Sequence, residues 1–229
     1  MEDAYVINLK SSKDRWEKIQ KAFEGSNIRL HRVEPVKLVR SKYRILKRRE
    51  FYGKSLSMTV LNLIKMAKRK NLPEILILED DCSPVKGFEL IWAKIKSWLR
   101  AHNDTWDLYS GGSSYTQYPF PIGDTPGVEF FIPKRTQGTH WTWLQSKTYD
   151  TVINEYNKAL LNCNGQYYSC TDDVYNNLKR IVSLPYIAYQ SDNYSILFGD
   201  YTSKNRIKDY KKAENTLKRQ TRKLRHIKP

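Results

Sequence analysis

The 229-residue chain is 40% hydrophobic and 13% aromatic, with ten Gly and nine Pro, so it carries material for one large core and is not disordered wholesale. Forty Lys and Arg against 24 Asp and Glu give a formal charge of +16, and the longest apolar runs are four residues, which excludes a membrane-spanning helix and a signal-peptide core. Cys82, Cys163 and Cys170 are odd in number and lack CxxC spacing; this argues against a disulfide framework or zinc knuckle and points to a reducing compartment, so we expect a cytoplasmic protein.

Residues 4–9 (AYVINL) read as a buried strand that ends at the turn Lys10-Ser11-Ser12. Trp16, Ile19 and Phe23 share one face of a helix over 12–23, and 28–33 form a second strand. From Arg29 to Lys54 there are ten basic residues against two acidic ones, and 37–49 lacks apolar periodicity, as a solvated loop or loose helix does. Leu56, Val60, Leu63, Ile64 and Ala67 mark an amphipathic helix. The strand 74–78 (EILIL) then runs straight into Glu79-Asp80-Asp81.

Phe88, Ile91, Trp92, Ile95, Trp98 and Leu99 define the next helix, and 106–110 a strand that stops at Gly111-Gly112. The Pro- and Gly-rich stretch 118–127 reads as a surface excursion. Strands are expected at 128–132, 139–145 and 183–189, and a helix carries Tyr149, Val152, Ile153, Tyr156 and Leu160. Asp172 is placed to cap a helix bearing Val174 and Leu178. The last segment, 204–228, holds eleven basic residues against two acidic ones and reads as a polar, basic tail with helical character. The two basic segments thus contain the whole excess charge; the remainder holds 19 basic and 20 acidic groups. Alternating strands and helices in the first half argue an α/β fold with a mostly parallel central sheet and flanking helices, and the second half is more mixed.

Open α/β sheets bind ligands beyond the carboxyl ends of their strands. Glu79-Asp80-Asp81 stand there, after the most hydrophobic strand. Clustered acids repel one another unless a cation sits among them, and Mg²⁺ or Mn²⁺ bridging to phosphate oxygens would serve; a helix-capping or solvated acidic turn is the plain alternative.

Tyr5-Val6-Ile7-Asn8-Leu9, then Asp14-Arg15, then Leu76-Ile77-Leu78-Glu79-Asp80-Asp81 together resemble family-25 glycosyltransferases, the lipopolysaccharide- and collagen-modifying sugar transferases. Trp106-Asp107-Leu108 with Gly111-Gly112, Gly138-Thr139 through Lys147, Asp172-Asp173-Val174 and Gln190-Ser191-Asp192 follow the family's later motifs in order. Two positions depart from it: Ser57-Met58 replaces a serine–histidine pair, and Trp141-Thr142-Trp143 stands where a Tyr is usual.

The resemblance implies a GT-A fold over 1–203, with a nucleotide-sugar half at about 1–112, a mixed acceptor-binding half at about 113–203, and the basic tail at 204–229. It implies a transferase that moves a hexosyl or pentosyl group from a nucleotide-diphosphate sugar, a UDP-sugar foremost, with inversion and with Mn²⁺ or Mg²⁺. In that reading Asp81 and Glu79 ligate the metal and Asp80 meets ribose or sugar. Asn8, Arg15, Glu34, Gly111 and His140 are the other donor-binding candidates. Asp172 or Asp173 is the general base.

The basic segments are the direct clue to the acceptor. Lys and Arg with interleaved Tyr43, Phe51, Tyr52 and Tyr210 suit a nucleic acid, for example DNA with a hydroxymethylated base, in a viral host's cytoplasm if the protein is viral. An anionic membrane bearing a glycolipid or polysaccharide ranks just below, because Leu217, Leu224 and Ile227 offer only a thin apolar face to a peripheral enzyme. A non-catalytic nucleic-acid-binding protein on an α/β scaffold is the rival class; it explains the charge and leaves Glu79-Asp80-Asp81 without purpose.

Overall fold

The structure, a computed structural model, describes residues 1–43, 48–162, 170–191 and 206–225, with the side chains of Arg48, Arg49, Asn162, Cys170, Asp173 and 222–225 outside that description. Six helices and ten strands are seen among these residues. In chain order they are β1 (Glu2–Ile7), α1 (Lys13–Ala22), β2 (Ile28–Val33), α2 (Arg48–Arg69), β3 (Glu74–Glu79), β4 (Cys82–Pro84), α3 (Phe88–Ala101) and β5 (Leu108–Ser110). They continue with β6 (Tyr115–Thr125), β7 (Val128–Gln137), β8 (Trp141–Gln145), α4 (Tyr149–Asn162), α5 (Cys170–Asn176), β9 (Arg180–Leu184), β10 (Ala188–Gln190) and α6 (Arg206–Arg225).

Eight strands form one sheet in the order β2-β1-β3-β8-β5-β9-β7-β6, and β10 pairs with β4 in a small second sheet. The first three strands are parallel, β8 is antiparallel to both its neighbours, and β5 and β9 are parallel again. The fold is therefore α/β, with a central sheet that is parallel over β2-β1-β3 and mixed beyond it. Each parallel pair needs a crossover helix, and the alternation of strand and helix patterns supplies it.

Both faces of the central sheet are covered. Along β3, Leu76 and Leu78 point to a layer with Ile19 of α1, Phe23 at its C-terminal cap, and Phe88, Trp92, Ile95 and Leu99 of α3. Ile75 and Ile77 point to the other, with Val60, Leu63, Ile64 and Ala67 of α2 and Val152 and Tyr156 of α4. The two-residue period of a strand splits one hydrophobic run between two cores, and a fully buried aliphatic or aromatic side chain contributes about 1.5–3 kcal/mol. Trp141 and Trp143 of β8 lie in the first layer, edge-on to Trp92 at ring-centroid distances of 5.3 Å.

Three local expectations are corrected. The surface excursion expected over 118–127 is regular structure: it falls largely within β6, an edge strand paired with β7 and irregular between Pro121 and Gly123. Its prolines are tolerated because an edge strand bonds on one side only. The strand expected over 183–189 is two strands, β9 and β10, divided by a cis Leu184–Pro185 bond. Asp172 lies inside α5 rather than capping it, and its Oδ1 accepts instead from the Gly138 backbone N–H at 3.1 Å. Residues 44–47 of the first basic segment, and His226 in the tail, lie outside the described residues.

The basic tail is a helix docked on the body. Tyr210 and Leu217 of α6 are buried in a third cluster with Phe131, Val182, Leu184 and Tyr186. On its opposite side Lys208, Lys211, Lys212, Lys218 and Arg219 are exposed, as the 3.6-residue period places them.

Candidate functional site

Parallel pairing of β1 with β3 sets Ile7 opposite Glu79, so the residues that follow each strand emerge together at the sheet's carboxyl edge. Asn8 donates through Nδ2 to Asp80 Oδ2 at 2.6 Å and to the Ser12 carbonyl at 3.2 Å. The first bond aims at an acid; the second folds the turn that starts α1. One turn into that helix, Arg15 Nη2 lies 2.6 Å from Asp80 Oδ1 and 3.5 Å from Asp81 Oδ2. Asn8, Arg15, Asp80 and Asp81 are thus one group. β8 runs the other way, so the residues just before it reach the same edge: Thr139 Oγ1 donates to Glu79 Oε1, and the Glu79 N–H donates to the His140 carbonyl at 3.1 Å.

Three adjacent carboxyls in a dry place disfavour their charged forms. Burial, then the charge of Asp81, pushes Glu79 up to about 8. Burial pushes Asp80 up to about 6 against the pull of Arg15. Asp81 is also raised, by burial first, while Arg15 and the Gln190 amide hold it down. Arg15 touches Asp80 and Asp81, and the charge of Arg206 on α6 also draws Asp81 down. No three His, Cys, Asp or Glu side chains among the described residues form a metal-holding group on their own.

Asp172 is brought to the same place from the second half, and its charge adds to the elevation of Glu79. It faces Arg180 Nη1 at 3.6 Å. That guanidinium is 1% exposed, and it donates from Nε to Ser110 Oγ at 2.7 Å, from Nη1 to the Thr136 carbonyl at 3.3 Å and from Nη2 to the Gly138 carbonyl. Arg180 therefore ties the ends of β5 and β7 to the loop before β8. Its burial was not legible beforehand, since a lone Arg opening a strand reads as surface.

His140 is fully buried and engaged on both ring nitrogens. Nε2 lies 3.1 Å from the Ala188 carbonyl, so it carries the proton, and Nδ1 faces the Tyr210 hydroxyl at 3.1 Å. Burial lowers its pKa to about 4, which keeps the ring neutral. Gly111 is a close-approach position: a Cβ there would stand 2.6 Å from the Trp141 ring, and its carbonyl accepts from Ile187 N–H. Glu34 follows β2 at the same edge and pairs with Lys37 at 3.6 Å. Asp173 belongs to α5, and its side chain lies outside the description. Trp141 and Trp143 are core residues, whereas Tyr115 and Tyr118 are exposed on β6.

Gln190 and Tyr210 also reach the cluster. Gln190 Nε2 donates to Asp81 at 3.4–3.5 Å, and its Oε1 accepts from the Tyr210 hydroxyl at 3.1 Å. The sequence motif around Gln190 marked the region; nothing in the sequence joined Tyr210 to it.

No protein-family model matches the chain, and no curated protein matches it in sequence. Among solved structures, A197 from STIV is similar at 12% identity, covering 84% of this chain and 87% of its own, with a TM-score of 0.43. A glycosyltransferase involved in the glycosylation of the major capsid of PBCV-1 is similar at 14% identity, covering 79% of each chain, with a TM-score of 0.42. Apo-UDP-glucose pyrophosphorylase is similar at 10% identity, covering 96% of this chain and 82% of its own, also with a TM-score of 0.42. At these values the likeness extends to no individual residue. Among the described residues no helix is long and apolar enough to cross a membrane.

Proposed function

We propose that the protein is a glycosyltransferase that moves a sugar from a nucleotide-diphosphate sugar, a UDP-sugar foremost, to an acceptor hydroxyl. The observation that carries this reading is the convergence of Asn8, Arg15, Asp80 and Asp81 at the carboxyl edge of a parallel β1–β3 pair, where open α/β sheets receive nucleotides. Asn8 and Arg15 supply donors for a nucleobase, ribose or phosphate, and Asp80 supplies an acceptor for ribose or sugar hydroxyls.

The donor set fits a hard divalent cation. The charge of Asp81 raises Glu79, so the two carboxyls lie near one another, and Mg²⁺ or Mn²⁺ takes one or two carboxylates when substrate phosphates complete its shell. Bound there, the cation would stabilise the leaving diphosphate as a Lewis acid. The chain's own acids do the rest. Asp172 or Asp173 takes the proton of the acceptor hydroxyl. The acceptor oxygen then bonds to the anomeric carbon, and that carbon's bond to the diphosphate oxygen breaks, with inversion and release of the nucleoside diphosphate.

The acceptor we propose is polyanionic, nucleic acid ahead of an anionic membrane surface. The structure adds a reason: Leu217, one of the few apolar residues in the tail, is buried against the body, so the exposed side of α6 is basic rather than amphipathic. A membrane-inserting face would need the reverse. The test is nucleoside-diphosphate release from a panel of UDP- and GDP-sugars with and without Mn²⁺. Metal-dependent release that disappears in Asp81→Asn is expected; no donor binding and no release for any sugar would overturn the reading in favour of a non-catalytic binding protein.

A further inference from the structure

The last helix enters the site through one side chain. Tyr210 is fully buried although it lies in a strongly basic segment, and its hydroxyl ends between His140 Nδ1 and Gln190 Oε1, 3.1 Å from each. Because His140 Nε2 carries the proton toward Ala188, both of these atoms are acceptors, and the single phenolic hydrogen serves the two. An Oε1 facing Tyr210 forces the Gln190 Nε2 group to face Asp81, which it does at 3.4–3.5 Å. The close approach is built in: a Cβ on Gly138, whose φ is +125°, would stand 2.8 Å from the Tyr210 hydroxyl. The chain of contacts runs Ala188 carbonyl, His140, Tyr210, Gln190, Asp81, and it joins α6, β10 and the loop before β8 to the turn after β3.

We propose that Tyr210 is a positioning residue: it fixes the Gln190 amide with its N–H₂ toward Asp81 and so sets that carboxylate for the donor's diphosphate and cation. The proposal rests on the donor-site reading above. Its consequence is that the basic helix is a working part of the catalytic domain as well as an address for a polyanion.

Tyr210→Phe removes one oxygen and keeps the ring; Gln190→Met removes the amide at similar volume. Two readouts are taken on full-length protein. The first is the Gln190 side-chain amide resonance without ligand, assigned by its loss in Gln190→Met; the second is binding of UDP in the presence of Mn²⁺ by calorimetry. Thermal unfolding checks that each variant is folded. In Tyr210→Phe the Gln190 amide signal is expected to shift and broaden, and Mn²⁺-dependent UDP affinity to fall roughly tenfold, the scale of losing a group that orients a metal ligand. Gln190→Met should lose about as much, and the double variant no more than either single one.

An unchanged Gln190 signal in Tyr210→Phe, or losses that add in the double variant, would overturn the proposal. Should Tyr210→Phe not fold, undiminished affinity in Gln190→Met overturns it. If wild-type protein binds no UDP with Mn²⁺, the donor reading fails, and the amide signal still decides whether Tyr210 orients Gln190.

Discussion

Asn8 and Asp80 are 72 residues apart in the chain and 2.6 Å apart in space. Their meeting follows from the register Ile7 against Glu79 between two adjacent parallel strands. Whatever follows β1 and β3 must then share one edge, and Arg15, one helical turn into α1, closes the group on the acids.

Arg15 is a counter-charge in contact with a crowded pair of acids, Asp80 and Asp81. Arg15→Met should therefore destabilise the fold by about 3 kcal/mol at neutral pH, the usual loss when one partner of a buried pair is removed. Asp80 already has a raised pKa, so in the variant it takes up a proton more readily still, and the loss should shrink by pH 5. Urea denaturation at both pH values measures this, and Asp80→Asn in the same background should restore most of the stability.

Asp81→Asn relieves repulsion with Glu79 while removing the proposed cation ligand. The expected signature is a protein about 1 kcal/mol more stable that no longer releases nucleotide in a metal-dependent way. Equal loss of stability and activity would instead mark Asp81 as a structural residue.

His140 gives the fold a pH dependence of definite sign. Its folded pKa of about 4 lies below the ordinary 6.5, so between these values the unfolded chain binds a proton that the folded one refuses. Its contribution is complete above about pH 6.5 and is lost as pH falls toward 4, by up to about 3 kcal/mol. The slope of unfolding free energy over this window should flatten in His140→Gln relative to wild type.

Arg180 bonds to Ser110, Thr136 and Gly138 and faces Asp172 from a fully buried position. Arg180→Leu strands these acceptors and should cost at least about 3 kcal/mol. Arg180→Lys should not rescue it, because an ammonium cannot reproduce the planar fork of donors. Chemical denaturation of both variants distinguishes this from a simple charge effect.

If α6 presents its basic side to a polyphosphate, replacing Lys208, Lys211, Lys212 and Arg219 by Gln should lower the slope of log affinity against log salt by about 3 to 4 on duplex DNA. These residues are exposed, so unfolding should be unaffected. An unchanged slope would remove nucleic acid from consideration as the partner of this face.

Much of the first half was legible in the sequence because its signals are local. The run 74–78 and the spacing of Phe88, Trp92, Ile95 and Leu99 give β3 and α3 directly, and the acids after β3 lie where α/β sheets open. β6 was hidden by its prolines and glycine, which mark a loop unless the strand lies at an edge, and being at an edge is a property of the sheet order. Asp172 looked like a cap because cap residues are polar and local; its partners, the Gly138 N–H and Arg180, are distant in the chain.

By itself the sequence determined the alternation of strand and helix, the acid triplet after the most hydrophobic strand and the confinement of excess charge to two segments, all set by neighbours within a few residues. Only the tertiary structure decided that Arg15 pairs with Asp80 and Asp81, that Arg180 and His140 are buried, and that the tail helix docks on the body with the Tyr210 hydroxyl against His140 and Gln190. Those facts depend on which strands lie side by side and in what register, and long-range pairing leaves no periodic trace in the segments it joins.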